Sequence, residues 1–114
     1  MRIPEDGFLL RIFVGESDQW HGRPLYEAIV LKAREMHLAG ASVVRGQMGF
    51  GANSRLHTTK ILRLSEDLPM IVEIVDSKEK IDALLPEIDG MVQEGLVTLE
   101  PIRVIKYRAN AAKS

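Results

Sequence analysis

The chain has no cysteine among its 114 residues. That absence excludes disulfides, thiolate catalysis and cysteine-ligated zinc, and it fits a cytoplasmic protein. Long apolar runs are missing as well. No segment approaches the roughly 20 residues that a membrane-spanning helix needs. The opening stretch, MRIPEDGFLLRIFVG, puts acids ahead of a short apolar run and offers no small-residue cleavage site, so no signal peptide is expected. Net charge is almost absent, at −1, which argues against general DNA binding, a task for strongly basic domains. Acidic residues are missing only locally. None lies between Glu35 and Glu66, a window that holds Arg45, Arg55, Lys60 and Arg63. None follows Glu100, where Arg103, Lys106, Arg108 and Lys113 occur. These stretches take eight of the fifteen basic residues, leaving seven basic against sixteen acidic residues elsewhere. A near-neutral chain has thus sorted its charge, a pattern that suits an anion-binding surface or a simply solvated face.

With 46% hydrophobic and 27% charged residues, residues 1–114 are expected to form one globular domain with its own core. Alternating apolar residues predict a central strand over Gly7–Val14. After the polar loop GESDQWHGR, Pro24 suits the first position of a helix of about four turns, with Gly40 as its cap. Ser42–Phe50 and Thr58–Leu64 read as strands. Ser65–Leu68 reads as a turn ending at Pro69, and Met70–Val75 as an inner strand. With Asp76 and Glu79 resembling a capping box, Asp76–Ser77 is expected to cap a second helix. Its stripe is Ile81, Leu84, Leu85, Ile88 and Val92, with an interruption expected at Pro86 and an end at Gly95. A last strand lies within Leu96–Tyr107, broken at Pro101, and the tail from about residue 109 to 114 is expected to fray. The order βαββαβ predicts an α+β, ferredoxin-like sandwich, an antiparallel sheet with two helices on one face. The other face would then carry Phe13, Val43 and Val72 into water, which predicts self-association.

The most unusual stretch is VVRGQMGFGANSRLHTTKILR, residues 43–63. Its glycines precede a strand pattern, whereas a dinucleotide fingerprint needs them before a helix, and no Gly-Lys-Ser/Thr follows as a Walker A motif requires. Two readings remain, an anion nest of backbone N–H groups and a plain hairpin connection. His21, His37 and His57 have no metal-ligand spacing, so no metal site is expected. His37 sits near a helix end, where exposure is the default. Glu16, Asp18 and His21 form a polar cluster without a nucleophile, and no catalytic residues are assigned. Glu73 interrupts an apolar strand and should face a ligand, a cation or an interface.

The segments GESD…GRPLYEAIV, ASVVRGQMGFGANSR, LSEDLPMIVEIVDS and EGLVTLEPIRVIKYR together resemble the PII-like nitrogen-regulator superfamily. More specifically, they resemble its small branch catalogued as a domain of unknown function, number one-ninety. The resemblance spans nearly the whole chain. It implies a PII-like fold and a homotrimer with an adenine nucleotide, AMP or ADP, in clefts between subunits. By match, Ser42 and Glu73 would approach the adenine, Gly49 and Gly51 would lie at the base of a T-loop-like segment (about 51–59), and Lys106 and Arg108 would near the phosphates. The glycine-rich phosphate loop of PII is reduced here to Glu94–Gly95–Leu96, which suits a mono- or diphosphate. Arg55 and His57 would face a protein partner. That partner is unidentified; the branch's association with a fluoride-export channel suggests a membrane transporter. The segment Gly51–Thr59 is expected to be mobile without ligand and to reorder on binding. Two further readings fit the same sequence: a structural or metal-tolerance trimer similar to the CutA relatives, without nucleotide, and a small enzyme on the same sandwich. Neither nucleic-acid binding nor membrane insertion is expected.

Overall fold

The computed structural model describes residues 6–49, 57–58 and 68–108. Its elements run in the order β1 (Asp6–Gly15), β2 (Gln19–Trp20), β3 (Arg23–Pro24), α1 (Leu25–Glu35), β4 (Ala41–Arg45), β5 (Met48–Gly49), β6 (His57–Thr58), β7 (Pro69–Asp76), α2 (Lys78–Met91) and β8 (Leu96–Arg103). Because β1 is apolar on both faces, it can sit centrally, and it pairs antiparallel with β7 on one side and β8 on the other. With β4 on the outer edge of β7, the main sheet has the order β4-β7-β1-β8. Two helices complete a ferredoxin-like α+β fold.

The core forms on one side of this sheet, where Leu10, Ile12, Val72 and Ile74 meet Ile29 of α1 and Ile81, Leu84 and Ile88 of α2. The opposite side has no helix among the described residues. Register assigns it three rows across the sheet: Val44–Ile71–Phe13–Leu96, Ser42–Glu73–Arg11–Thr98, and Val75–Leu9–Glu100. Phe13 therefore lies on the open face as expected. Val43 and Val72 do not. They oppose each other on the helix side, because neighbouring residues along a strand alternate faces.

Helix ends differ from the expectations for tertiary reasons. Pro24 precedes α1 as its cap residue and is not its first member. At the other end, His37 adopts φ 64°, Leu38 N–H donates to Ala33 and His37 N–H to Arg34. That is a Schellman closure, completed by the burial of Leu38. The helix thus stops at Glu35, five residues before Gly40, with His37 exposed just past its end. Of the expected capping pair Asp76–Ser77, it is Ser77 that caps α2, its hydroxyl accepting from Lys80 N–H at 3.3 Å. The Asp76 carboxylate is 1% exposed and accepts from Ala39 N–H at 2.8 Å and Ser77 N–H at 2.7 Å. A distant backbone donor has claimed the side chain that local spacing assigned to a capping box.

Prolines are tolerated where water can replace a lost bond. Helix α2 runs through Pro86 without a break, with Pro86 and the preceding-turn residue Asp82 both exposed. Strand β8 runs through Pro101 because it is an edge strand, where a missing N–H can face outward. The strand ends at Arg103, so Val104–Arg108 is not part of it. Helix α2 ends at Met91, before Gly95. Gly95 instead makes the turn into β8 at φ 153°, where a Cβ would lie 2.6 Å from the Phe13 carbonyl. The expected strand from Ser42 to Phe50 is split after Arg45. Its continuation, β5, leaves the main sheet to pair with β6. Of the expected strand 58–64 and turn 65–68, only Thr58 and Leu68 are among the described residues. The tail from residue 109 and most of the Gly51–Thr59 expectation lie outside them.

Candidate functional site

Three connections close the base of the excursion between β4 and β7. The Glu16 backbone N–H donates to Leu68 O at 2.8 Å, and Gly46 N–H donates to Pro69 O at 2.8 Å. At Gly46 a Cβ would meet Pro69 Cγ at 2.6 Å, so only glycine allows this approach. The Glu16 carboxylate then holds Arg45 Nη2, at 2.8 Å from Oε1 and 2.6 Å from Oε2. Above this base, Gly49 of β5 lies opposite His57 of β6. Gly51 and Arg55 lie outside the described residues.

In the middle row of the open face, Ser42 lies opposite Glu73. Glu73 Oε2 accepts from Arg11 Nε at 2.8 Å, and Arg11 Nη1 donates onward to Glu100 Oε1 at 2.9 Å. The hydrogen bond to Glu73 raises the Arg11 pKa above its ordinary value. Partial desolvation opposes this, and the charge of Glu100 adds to it. Glu73 thus faces a cation. Sequence spacing could not supply that partner, which is 62 residues away. The available signal was that Arg11 and Glu73 each interrupt an apolar strand.

The expected residues fall in three places rather than one. Ser42, Glu73, Gly49 and His57 lie on β4, β7 and the β5–β6 ribbon. Gly95 opens β8 on the opposite edge of the sheet, beside Phe13. Lys106 and Arg108 follow the far end of β8, where Arg103 pairs with Asp6, whereas the excursion base adjoins Gly15 at the other end of β1. A ten-residue strand spans about 30 Å, and the five residues from Arg103 to Arg108 reach at most about 18 Å. One chain therefore holds the C-terminal cations and the glycine ribbon apart. Lys106 and Arg108 also lie beyond the last strand, because β8 ends at Arg103.

Glu16, Asp18 and His21 do not converge. Glu16 is held by Arg45, while Asp18 Oδ2 accepts from Gly15 N–H at 2.9 Å and so closes its own turn. His21 (φ 49°) and Gly22 (φ 82°) make the tight turn between β2 and β3, and the His21 ring stacks on Trp20 at 4.3 Å. All three are used structurally.

Comparison with known proteins adds three observations. The family model DUF190, described as Uncharacterized ACR, COG1993, matches residues 7–104. A UPF0166 protein of Aquifex aeolicus is 41% identical over 97 residues, covering 85% of this chain and 91% of that protein. One of Methanocaldococcus jannaschii is 31% identical over 99 residues, covering 86% and 91%. Among solved structures, CPII from Thiomonas intermedia K12 bound to ADP and bicarbonate superposes with a TM-score of 0.63 at 16% identity, covering 89% of this chain and 90% of that one. The same protein, a nitrogen regulatory PII-like protein, bound to ADP, AMP and bicarbonate, gives 0.63 at 15%. At these identities the superposition establishes the fold. No helix among the described residues is long and apolar enough to cross a membrane.

Proposed function

The chain belongs to the DUF190 family, and on that premise we propose that it is a trimeric regulatory protein of the cytoplasm that binds an adenine nucleotide, AMP or ADP, between its copies. The observation that carries this reading is the division of the candidate residues. The glycine ribbon stands beyond one end of the sheet, the Ser42–Glu73 pair lies in its middle row at the β4 edge, and Lys106 and Arg108 follow the other end. Such a site is complete only where two copies meet. The open apolar face supplies a reason for copies to meet, since burying it is favourable at roughly 25 cal/mol per Å². The CPII structures bound to adenine nucleotides support the choice of ligand.

In this reading the adenine lies near Ser42, Gly49 frames the ribbon beside it, and Gly95 allows close approach to the backbone. The phosphates meet the exposed cations of residues 104–108, with Arg108 able to offer two parallel donors where lysine offers a point charge. Residues 51–59, with Arg55 and His57, form the surface read by a protein partner, for which a membrane transporter such as a fluoride channel is the candidate. Binding, not turnover, is the task.

Calorimetry with ADP, AMP and adenosine tests this directly. One charged hydrogen bond is worth about 1.5–3 kcal/mol, so Arg108→Ala should weaken ADP binding about tenfold to a hundredfold while adenosine changes little. Equal ADP affinity in an intact Arg108→Ala assembly would overturn the assignment, and a wild-type chain that scatters light as a monomer would overturn the site between copies.

A further inference from the structure

We infer that Glu100 is the docking point for Lys106 of a second copy of this chain. The inference rests on the reading that copies meet over the open face, and it goes further by naming the contact that fixes their register. Arg11 lies between two carboxylates, 2.8 Å from Glu73 and 2.9 Å from Glu100. This ladder has one negative charge in excess. It crosses a face that carries Leu9, Phe13, Val44, Ile71, Val75 and Leu96, with Ser42 and Thr98 as its other polar members. The Glu100 side chain is 53% exposed and is the outer end of the ladder. A cover laid over this face would remove Glu100 from water with only half a share of Arg11, and an under-compensated buried carboxylate is costly. The cover must therefore bring a cation.

Residues 104–108 have what the face needs. Ile105 is 84% exposed and Tyr107 is 39% exposed, and no acid follows Glu100 in the chain. Lys106 sits between these two apolar residues and has no ion-pair partner among the described residues. The segment thus presents apolar, cationic, apolar in succession, the complement of a carboxylate set in an apolar face. This narrows the proposed nucleotide site: Lys106 holds the neighbouring copy, and Arg108 alone is left as the phosphate donor.

Charge exchange tests the contact by sedimentation velocity without nucleotide. Glu100→Lys and Lys106→Glu should each weaken association about tenfold or more, through like-charge repulsion across the contact. The double variant, with the two charges exchanged, should return to within about threefold of wild type. Both side chains are exposed, so circular dichroism should be unchanged in all three. Singles that associate like wild type, or a double as weak as its singles, would overturn the inference. ADP calorimetry on the wild type separates the two levels. A protein that associates and binds ADP, yet shows no rescue, removes only this contact; a monomeric wild type removes the reading on which it rests.

Discussion

The two faces of the main sheet share one alternating pattern and end in different environments. On the helix side, Leu10, Ile12, Val72 and Ile74 are fully buried, and the charged group among the buried residues described is Asp76. Its two oxygens are taken by backbone N–H groups from the α1–β4 connection and the start of α2. On the open side, Leu9, Phe13, Ile71 and Val75 are only half-buried, and charge occupies the middle of the face as Glu73–Arg11–Glu100. A carboxylate fixed by backbone donors is a strut, because those donors cannot turn away. A carboxylate held by a guanidinium can change partners. The helix side is therefore finished within one chain, while the open side keeps a charge available to something outside it.

The largest effect should come from the finished side. Ile74→Ala is expected to cost about 2–5 kcal/mol, the range for deleting a large aliphatic side chain in a packed core, read from the urea midpoint. Ile71→Ala, three residues earlier in β7 and on the open face, should cost less than half as much in folding and should instead weaken association measured by light scattering. Equal losses with unchanged association would erase the difference between the faces. Next in size is Asp76→Ala, expected to cost about 2–3 kcal/mol because it leaves the Ala39 and Ser77 N–H groups without their acceptor. Glu73→Gln should stay within about 1 kcal/mol, since that pair is a third exposed on both sides. Comparable costs would make the ladder a strut as well. The smallest effect lies on neither face: His37→Gly should stabilise the chain by about 1 kcal/mol, because only glycine occupies a left-handed cap without a Cβ penalty. A loss of stability there would show that the exposed imidazole does more than end a helix.

Much of this fold was legible along the chain. Alternation located β1, a β-branched run located β7, the 3.6-residue stripe located both helices, and the order of elements predicted the sandwich. The errors cluster where a residue's partner is remote. Asp76 was read as a local cap, yet Ala39, 37 residues away, takes one of its oxygens. Pro86 and Pro101 were read as breaks, and each is harmless for a reason that depends on which side of an element meets solvent. Gly40 was read as the helix cap, although burial of Leu38 favours an earlier closure through His37. Of the candidate site, the charge sorting and the glycine run were visible. The Arg11 bridge and the Glu16–Arg45 clasp were not, since both depend on strand register.

The sequence by itself determined the element types, the α+β order, the exclusion of cysteine chemistry and the acid-free C-terminal run. These follow from side-chain periodicity and composition, which are local. Only the tertiary structure decided that Val43 and Val72 face the helices, that Glu73 shares Arg11 with Glu100, and that the glycine ribbon and the C-terminal cations stand at opposite ends of one sheet. Those outcomes depend on pairing register, where a shift of one residue would turn every side chain of a strand to the other face.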